Sequence, residues 1–313
     1  MINTRGIGFQ ECFDALNLDN PAVIADIHRA YIQAGAQIIL TNTFGANRRR
    51  LALHSLDERV AEITDAATQA ARRAAATAGD RNVAVAGSIG PTGDLIAPLG
   101  QLSYESAVAV FAEQTQALVD ADVDVLWIET MSSLEELSAA FTAASTFDLP
   151  IVTTMSFDTH GKTMMGVAPS QLAAWSLAQS RRPVAIGGNC GIGPGDVLAA
   201  VGDIVDNAPE AVVVAKANAG IPAYTSGGLE YPVGSVDMAD YARLAVAVGA
   251  RIIGACCGST PEHLAEIRNV VDTASNRPRP EREEIASRFG VSLDQPTRTR
   301  ARVSRRSSGR HSA

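Results

Sequence analysis

The chain has 313 residues, of which 46% are hydrophobic and 19% charged, and a formal net charge of −8. That length allows one large domain or two small ones, and the acidic balance argues against a nucleic-acid or membrane-surface partner for the folded body. No apolar stretch approaches the ~18 residues of a spanning helix and nothing resembles a signal peptide, so a cytoplasmic protein with reduced thiols is expected.

Short β-branched runs alternate with longer Ala-rich helical segments. A helix over 21–35 leads to the strand candidate "QIILTNTF" (37–44), a helix over 57–79 to "VAVAGSIG" (83–90), and a helix over 104–121 to "DVLWIET" (124–130). Helices over 133–146, 169–180, 195–207 and 237–248 precede "PIVTTMSF" (150–157), "VAIGGNC" (184–190), "AVVVAKANAG" (211–220) and "RIIGACC" (251–257), and a last helix spans 261–273. The strands are nearly continuous apolar runs, the pattern of parallel strands covered on both faces. The 57–79 segment opens on acids and closes on glycine, as a helix should.

Eight helices and seven strands in alternation predict an α/β protein with a (β/α)8 TIM barrel over 1–275; a doubly wound open sheet is the runner-up. The strand that is missing or irregular is the first, because "INTRGIGF" is a poor β candidate. From about Asn276 the chain turns to Pro, Arg and Ser with few apolar residues, so 276–313 is expected to be a largely disordered tail, basic from Arg298 to Arg310.

The chain has four cysteines, and two are neighbours, Cys256 and Cys257. Successive side chains of a strand point to opposite faces, so this pair can share one ligand only if the strand breaks there. Gly254 and Gly258 permit such a break. Cys190 ends another strand, again beside glycine, and a barrel would bring both ends to one rim, where active sites of such barrels assemble. Three thiolates there suit Zn²⁺ with a fourth position open. Such an anionic site is a weak activator of water but would hold an incoming thiol as an electron-rich thiolate, ready to take a methyl group. The plainer alternative is that buried cysteines are small hydrophobes, the reading given to Cys12.

The segments "AYIQAGAQIILTNTFGANRRRL", "AGSIGPTGDL", "VLWIETMSSLEE", "SFDTHGKTMMG", "GGNCG", "AKANAGIP" and "GACCGSTPEH" occur in this order. Together they resemble the homocysteine S-methyltransferase family, zinc-dependent barrels that methylate homocysteine to methionine. The resemblance implies Cys190, Cys256 and Cys257 as zinc ligands and Glu129 as the acceptor of homocysteine's amino group. It also implies Asn218 and the "NTF" turn (Asn42, Thr43, Phe44) as pocket residues. Glu129 ends an apolar strand, where an unpaired carboxylate is expensive to bury; a substrate ammonium, or a structural Arg or Lys, would satisfy it. Asn218 before Ala-Gly is also common turn chemistry.

The expected partners are homocysteine and a small methyl donor, with a homo-oligomer left open. Several runs look most like bacterial betaine–homocysteine methyltransferases, so glycine betaine is the leading donor; S-methylmethionine or a separate methylcorrinoid protein are the alternatives. A quaternary ammonium donor calls for an aromatic surface, for which Phe44, Tyr104, Trp127 and Tyr224 are available. Family members open with a strand ending in an Asp-Gly-x-x-Gly-Thr-like turn, which "NTRGIGF" does not match. Either the true start lies upstream, or the barrel is left with an open seam between its second and eighth strands; a zinc-binding but catalytically impaired barrel is a further alternative.

Overall fold

The computed structural model describes residues 11–225, 228–274 and 278–290. Seven parallel strands form one sheet, in chain order β1 (Ile38–Leu40), β2 (Ala84–Ile89), β3 (Val125–Met131), β4 (Ile151–Met155), β5 (Ala185–Cys190), β6 (Val213–Ala217) and β9 (Ile252–Ala255). Between them run α4 (Val60–Ala75), α5 (Tyr104–Asp120), α6 (Leu134–Ala144), α7 (Pro169–Ala178), α8 (Pro194–Asn207) and α9 (Ser235–Val248). Two further helices, α2 (Pro21–Gln33) and α10 (Pro261–Thr273), flank the ends of the sheet, and two short ones, α1 (Leu16–Asp19) and α3 (Arg48–Ala52), precede α2 and follow β1. Helices start where expected: Ser103 and Ser133 accept from the N–H groups of Ser106 and Glu136, and Pro opens α2, α7, α8 and α10.

The sheet curls so that alternate side chains face inward and the others pack under the helices. Ala86, Trp127, Val152, Ala185 and Val214 form a small apolar cluster, one residue from each of five strands, with Ile38, Leu40 and Ile252 packed against it. Two residues further along, the same face carries Ser88, Glu129, Thr154, Gly187, Lys216 and Gly254. The layer toward the strands' C-terminal ends is thus polar.

The curl does not close among the described residues. β6 pairs with β9 and β1 with β2, but β1 and β9 are edges, and both are only partly buried where β4 is buried throughout. A cavity of about 1280 Å³ occupies the slot between them and continues to the strand ends. An open seam at this place is one of the two outcomes expected from the sequence; "INTRGIGF" itself lies outside the described residues.

Besides the short α1 and α3, a hairpin and a late helix were not foreseen. β7 (Ala223–Thr225) and β8 (Gly228–Glu230) make an antiparallel hairpin between β6 and α9. The stretch read as tail from 276 onward is also not all tail, because α11 (Arg282–Phe289) docks on the barrel. Ile285 is buried, Arg288 pairs with Asp237 and Asp240, and Arg279 pairs with Asp206. Ile285, with Phe289 packed against the same core, and an acidic face on α8 and α9 seat it. Residues 291–313 lie outside the described residues.

Candidate metal centre and substrate site

Backbone geometry solves the problem of the neighbouring cysteines. The Cys256 N–H donates to Ala217 O at 2.7 Å, extending the β6–β9 ladder by one residue. The chain then turns, with Ser259 N–H donating to Cys256 O at 3.2 Å and Gly258 at φ 79°. Across the rim, Cys190 sits at φ 62° and Gly191 at φ 69°, a left-handed pair that folds the end of β5 back on itself. The three sulfurs lie within 4.8 Å of one another. Tetrahedral Zn²⁺ with Zn–S bonds of ~2.3 Å places its sulfurs about 3.8 Å apart, so the cluster fits the ion after small side-chain adjustments. An all-sulfur donor set also suits it better than Mg²⁺ or Ca²⁺.

The sulfurs share protons unevenly. Hydrogen bonds from Cys256 and Cys257 hold the Cys190 thiol below the ordinary cysteine range, and their engagement with Cys190 holds the other two above it. Cys12 is remote from this cluster and packs against Leu51, Val60 and Ile63, as expected of a small hydrophobe.

Two asparagines brace the cluster. Asn218 donates to Gly191 O at 2.7 Å and accepts from the Cys257 N–H at 3.0 Å, tying the two cysteine loops together. It does not line the cavity, so its place is behind the sulfurs. Asn189 is fully buried; it accepts from Thr130 N–H (2.9 Å) and Thr154 Oγ1 (2.6 Å), donates to Thr130 Oγ1 (2.7 Å), and reaches Cys256 Sγ at 4.0 Å. Thr130 is itself left-handed at φ 61°, at an irregularity in the β3–β4 register.

Glu129 lies in the cavity wall and is 6% exposed. Its Oε1 accepts from Ser88 Oγ at 2.6 Å, and its Oε2 is ion-paired with Lys216 Nζ. Lys216 also lies 5.6 Å from the centroid of the Trp127 ring. Burial works against its charge, but Glu129 and then the cysteines outweigh this and its pKa is raised.

The "NTF" turn divides. Phe44 is 37% exposed and, with Asn42, lines the cavity. Gly90 makes room for it, since a Cβ there would lie 2.5 Å from Phe44 O. Asn42 donates to Phe13 O (2.7 Å) and accepts through its carbonyl from Asn17. Thr43 is fully buried, donates to Ser88 O at 2.7 Å and holds the top of β1 to β2. Of the aromatic candidates, Phe44 and Trp127 line the cavity, Tyr104 bonds Thr142 on the outside, and the Tyr224 side chain lies outside the described residues.

Lys216, Asn189, Ser88 and Tyr231 were not singled out in the sequence. Asn189 carried a weak signal, as a polar residue beside Cys190 in an apolar run. Tyr231 follows the unforeseen hairpin and packs so close to Gly258 that a Cβ there would fall 2.1 Å from its ring.

The chain is similar to several known proteins. Methionine synthases of Mycobacterium tuberculosis (strain ATCC 25618 / H37Rv) and Mycobacterium leprae (strain TN) are 32% and 30% identical to the chain over 286 and 274 residues. These matches cover 88% and 84% of this chain but 23% and 22% of those proteins, so the chain spans under a quarter of their length. The metallated form of the Escherichia coli homocysteine methyltransferase MmuM is similar in structure, with a TM-score of 0.72 and 26% identity, covering 86% of this chain and 92% of that one. A methyltransferase from Methanosarcina mazei, 12% identical with a TM-score of 0.54, shares the fold. The homocysteine S-methyltransferase profile itself matches residues 3–271, and the chain belongs to that family.

Proposed function

We propose that this chain methylates the thiol of homocysteine to give methionine, on a zinc ion held by Cys190, Cys256 and Cys257, with glycine betaine as the donor. The observation that carries the reading is the convergence of three sulfurs within 4.8 Å on a cavity that also holds a nearly buried carboxylate, Glu129. Zinc on three thiolates would supply a fourth position at which a substrate thiol loses its proton and stays nucleophilic. The chain's own residues do the rest. Asn218 and Asn189 keep the cysteine loops in place, and Glu129, steadied by Ser88, takes the substrate's ammonium group. Phe44 and Tyr231 line the cavity, Tyr231 against Gly258 of the cysteine loop, and offer a surface for an onium donor, whose positive charge favours aromatic faces. In the transfer, a sulfur lone pair forms the S–CH₃ bond as the C–N bond breaks, and its electron pair returns to nitrogen as dimethylglycine leaves.

Free cysteines at the working site fit a reducing compartment such as the cytoplasm. Among the described residues no helix is long and apolar enough to cross a membrane. The test is product formation by the zinc-loaded protein with homocysteine and betaine alone. Methionine and dimethylglycine in equal amounts support the reading. Methionine only with S-methylmethionine, or only with a methylcorrinoid protein, replaces the donor and leaves the thiol acceptor in place.

A further inference from the structure

The three sulfurs of the cluster are not equivalent. Cys257 is exposed, whereas Cys190 and Cys256 are half-buried. Cys190 ends β5 and Cys256 still belongs to the β6–β9 ladder, but Cys257 lies one residue past it. Its backbone is nonetheless fixed. The N–H donates to Asn218 Oδ1 at 3.0 Å, and the carbonyl accepts from Ala219 N–H at 2.9 Å. The exposed sulfur is therefore held at the cavity rather than free to swing away.

Hydrogen bonds separate the sulfurs further. The Asn189 amide reaches Cys256 Sγ at 4.0 Å, and the Asn218 amide and the Gly191 backbone N–H act on Cys190. Lys216 adds a positive charge in electrostatic reach of both. Among the described residues, no N–H or O–H group outside the cluster donates to Cys257 Sγ. With an ion bound all three sulfurs are thiolates, so protonation does not tell them apart; their neighbours and their exposure do. A hydrogen bond to a charged sulfur weakens as that charge passes into a new bond, so each donor makes its sulfur a poorer nucleophile.

Cys257 also faces the right space. It lines the cavity together with Phe44 and Tyr231, and Tyr231 packs on Gly258, the next residue in the chain. An aromatic surface beside an exposed and unshielded thiolate gathers small polarizable or cationic electrophiles.

We propose that Cys257 is a modification site: in the absence of an acceptor thiol, small alkyl electrophiles entering the cavity are captured by its sulfur rather than by those of Cys190 and Cys256. A sulfur lone pair forms the S–C bond as the bond from that carbon to the leaving group breaks. The leaving group departs with the bonding pair, as iodide from iodoacetamide or as a tertiary amine from an onium. A thioether remains, and no proton moves because the sulfur enters as thiolate. The site goes beyond the thiol-methylation reading, since the acceptor becomes a shield for the protein as well as a substrate.

The test is a map of carbamidomethylation on the zinc-loaded protein after a limiting amount of iodoacetamide, read from fragment mass spectra that separate Cys256 from Cys257. Cys257 should carry at least about tenfold more label than Cys190 or Cys256, the scale of one hydrogen bond to a charged acceptor. Methionine fills the acceptor's place without offering a thiol to the reagent. At about ten times its Kd it should slow the Cys257 labelling about tenfold, in proportion to the sites left empty. Asn189→Ala should raise the label on Cys256 relative to Cys190 by about threefold or more. The wild-type map stands even if that variant fails to fold. Equal labelling of the three sulfurs, a preference for Cys190 or Cys256, or an unchanged Cys256 to Cys190 ratio in a folded Asn189→Ala overturns the site. Preferred labelling of Cys257 that methionine leaves at full rate supports the ranking of the sulfurs and overturns the methylation reading, which seats the acceptor beside them.

Discussion

Asn218 holds Cys257 through that residue's backbone N–H, at 3.0 Å, while its amide nitrogen reaches Gly191 O at 2.7 Å beside Cys190. One side chain thus sets the separation of two loops that are distant in sequence. Asn218→Ala should weaken zinc binding by about 10–100-fold, the usual effect of losing a group that orients metal ligands. Competition with a chromophoric chelator measures it, and an unchanged affinity would remove Asn218 from the account.

Glu129→Gln should leave Lys216 charged and unpaired in the barrel interior. Breaking a buried pair in this way costs about 3–5 kcal/mol, whereas removing both charges is close to neutral. Urea unfolding should therefore show Glu129→Gln strongly destabilised and Glu129→Gln/Lys216→Met restored toward wild type, with methylation lost in both. A double variant no more stable than the single would mean that the two charges do not compensate each other.

Gly258 combines φ 79° with a Cβ direction that ends 2.1 Å from the Tyr231 ring. Gly258→Ala must move Tyr231 and hold alanine in a left-handed conformation, which costs on the order of 1 kcal/mol. Because the turn belongs to the cysteine loop, zinc content should fall further than the melting temperature indicates. Full zinc occupancy in a folded Gly258→Ala would contradict the close packing.

The strands β2 to β6 were legible because strands buried on both faces leave an unmistakable apolar run. The cysteines were legible because few residue types gather beside glycine at strand ends. Lys216 was not. In "AVVVAKANAG" a lone lysine reads as an interruption, and Glu129, its partner, is 87 positions away. Only the cost of burying Glu129 hinted that some cation must answer it. The hairpin of β7 and β8 and the docked α11 escaped for a different reason: each is short and takes its stability from the surface it meets rather than from its own pattern.

His28, on α2, is 7% exposed, has no hydrogen-bond partner for Nε2 among the described residues, and is pushed by burial from 6.5 down to about 4. Above pH 6.5 both folded and unfolded chains carry it neutral. As pH falls from there toward 4, the unfolded chain takes up the proton first, so stability is lost on acidification, by up to about 3 kcal/mol in all. Asp14, raised to about 6 by burial, acts in the opposite sense but is present in both proteins compared. The stability of His28→Leu relative to wild type should therefore rise as pH falls through this window. A difference independent of pH would show that His28 already titrates normally in the fold.

The central claim is that three cysteines form one thiol-binding metal centre, and zinc-edge X-ray absorption tests it most directly. The purified protein should carry one zinc with three sulfur neighbours at about 2.3 Å, and adding homocysteine should raise the sulfur count to four. Absence of zinc, or a sulfur count that homocysteine leaves unchanged, would contradict it.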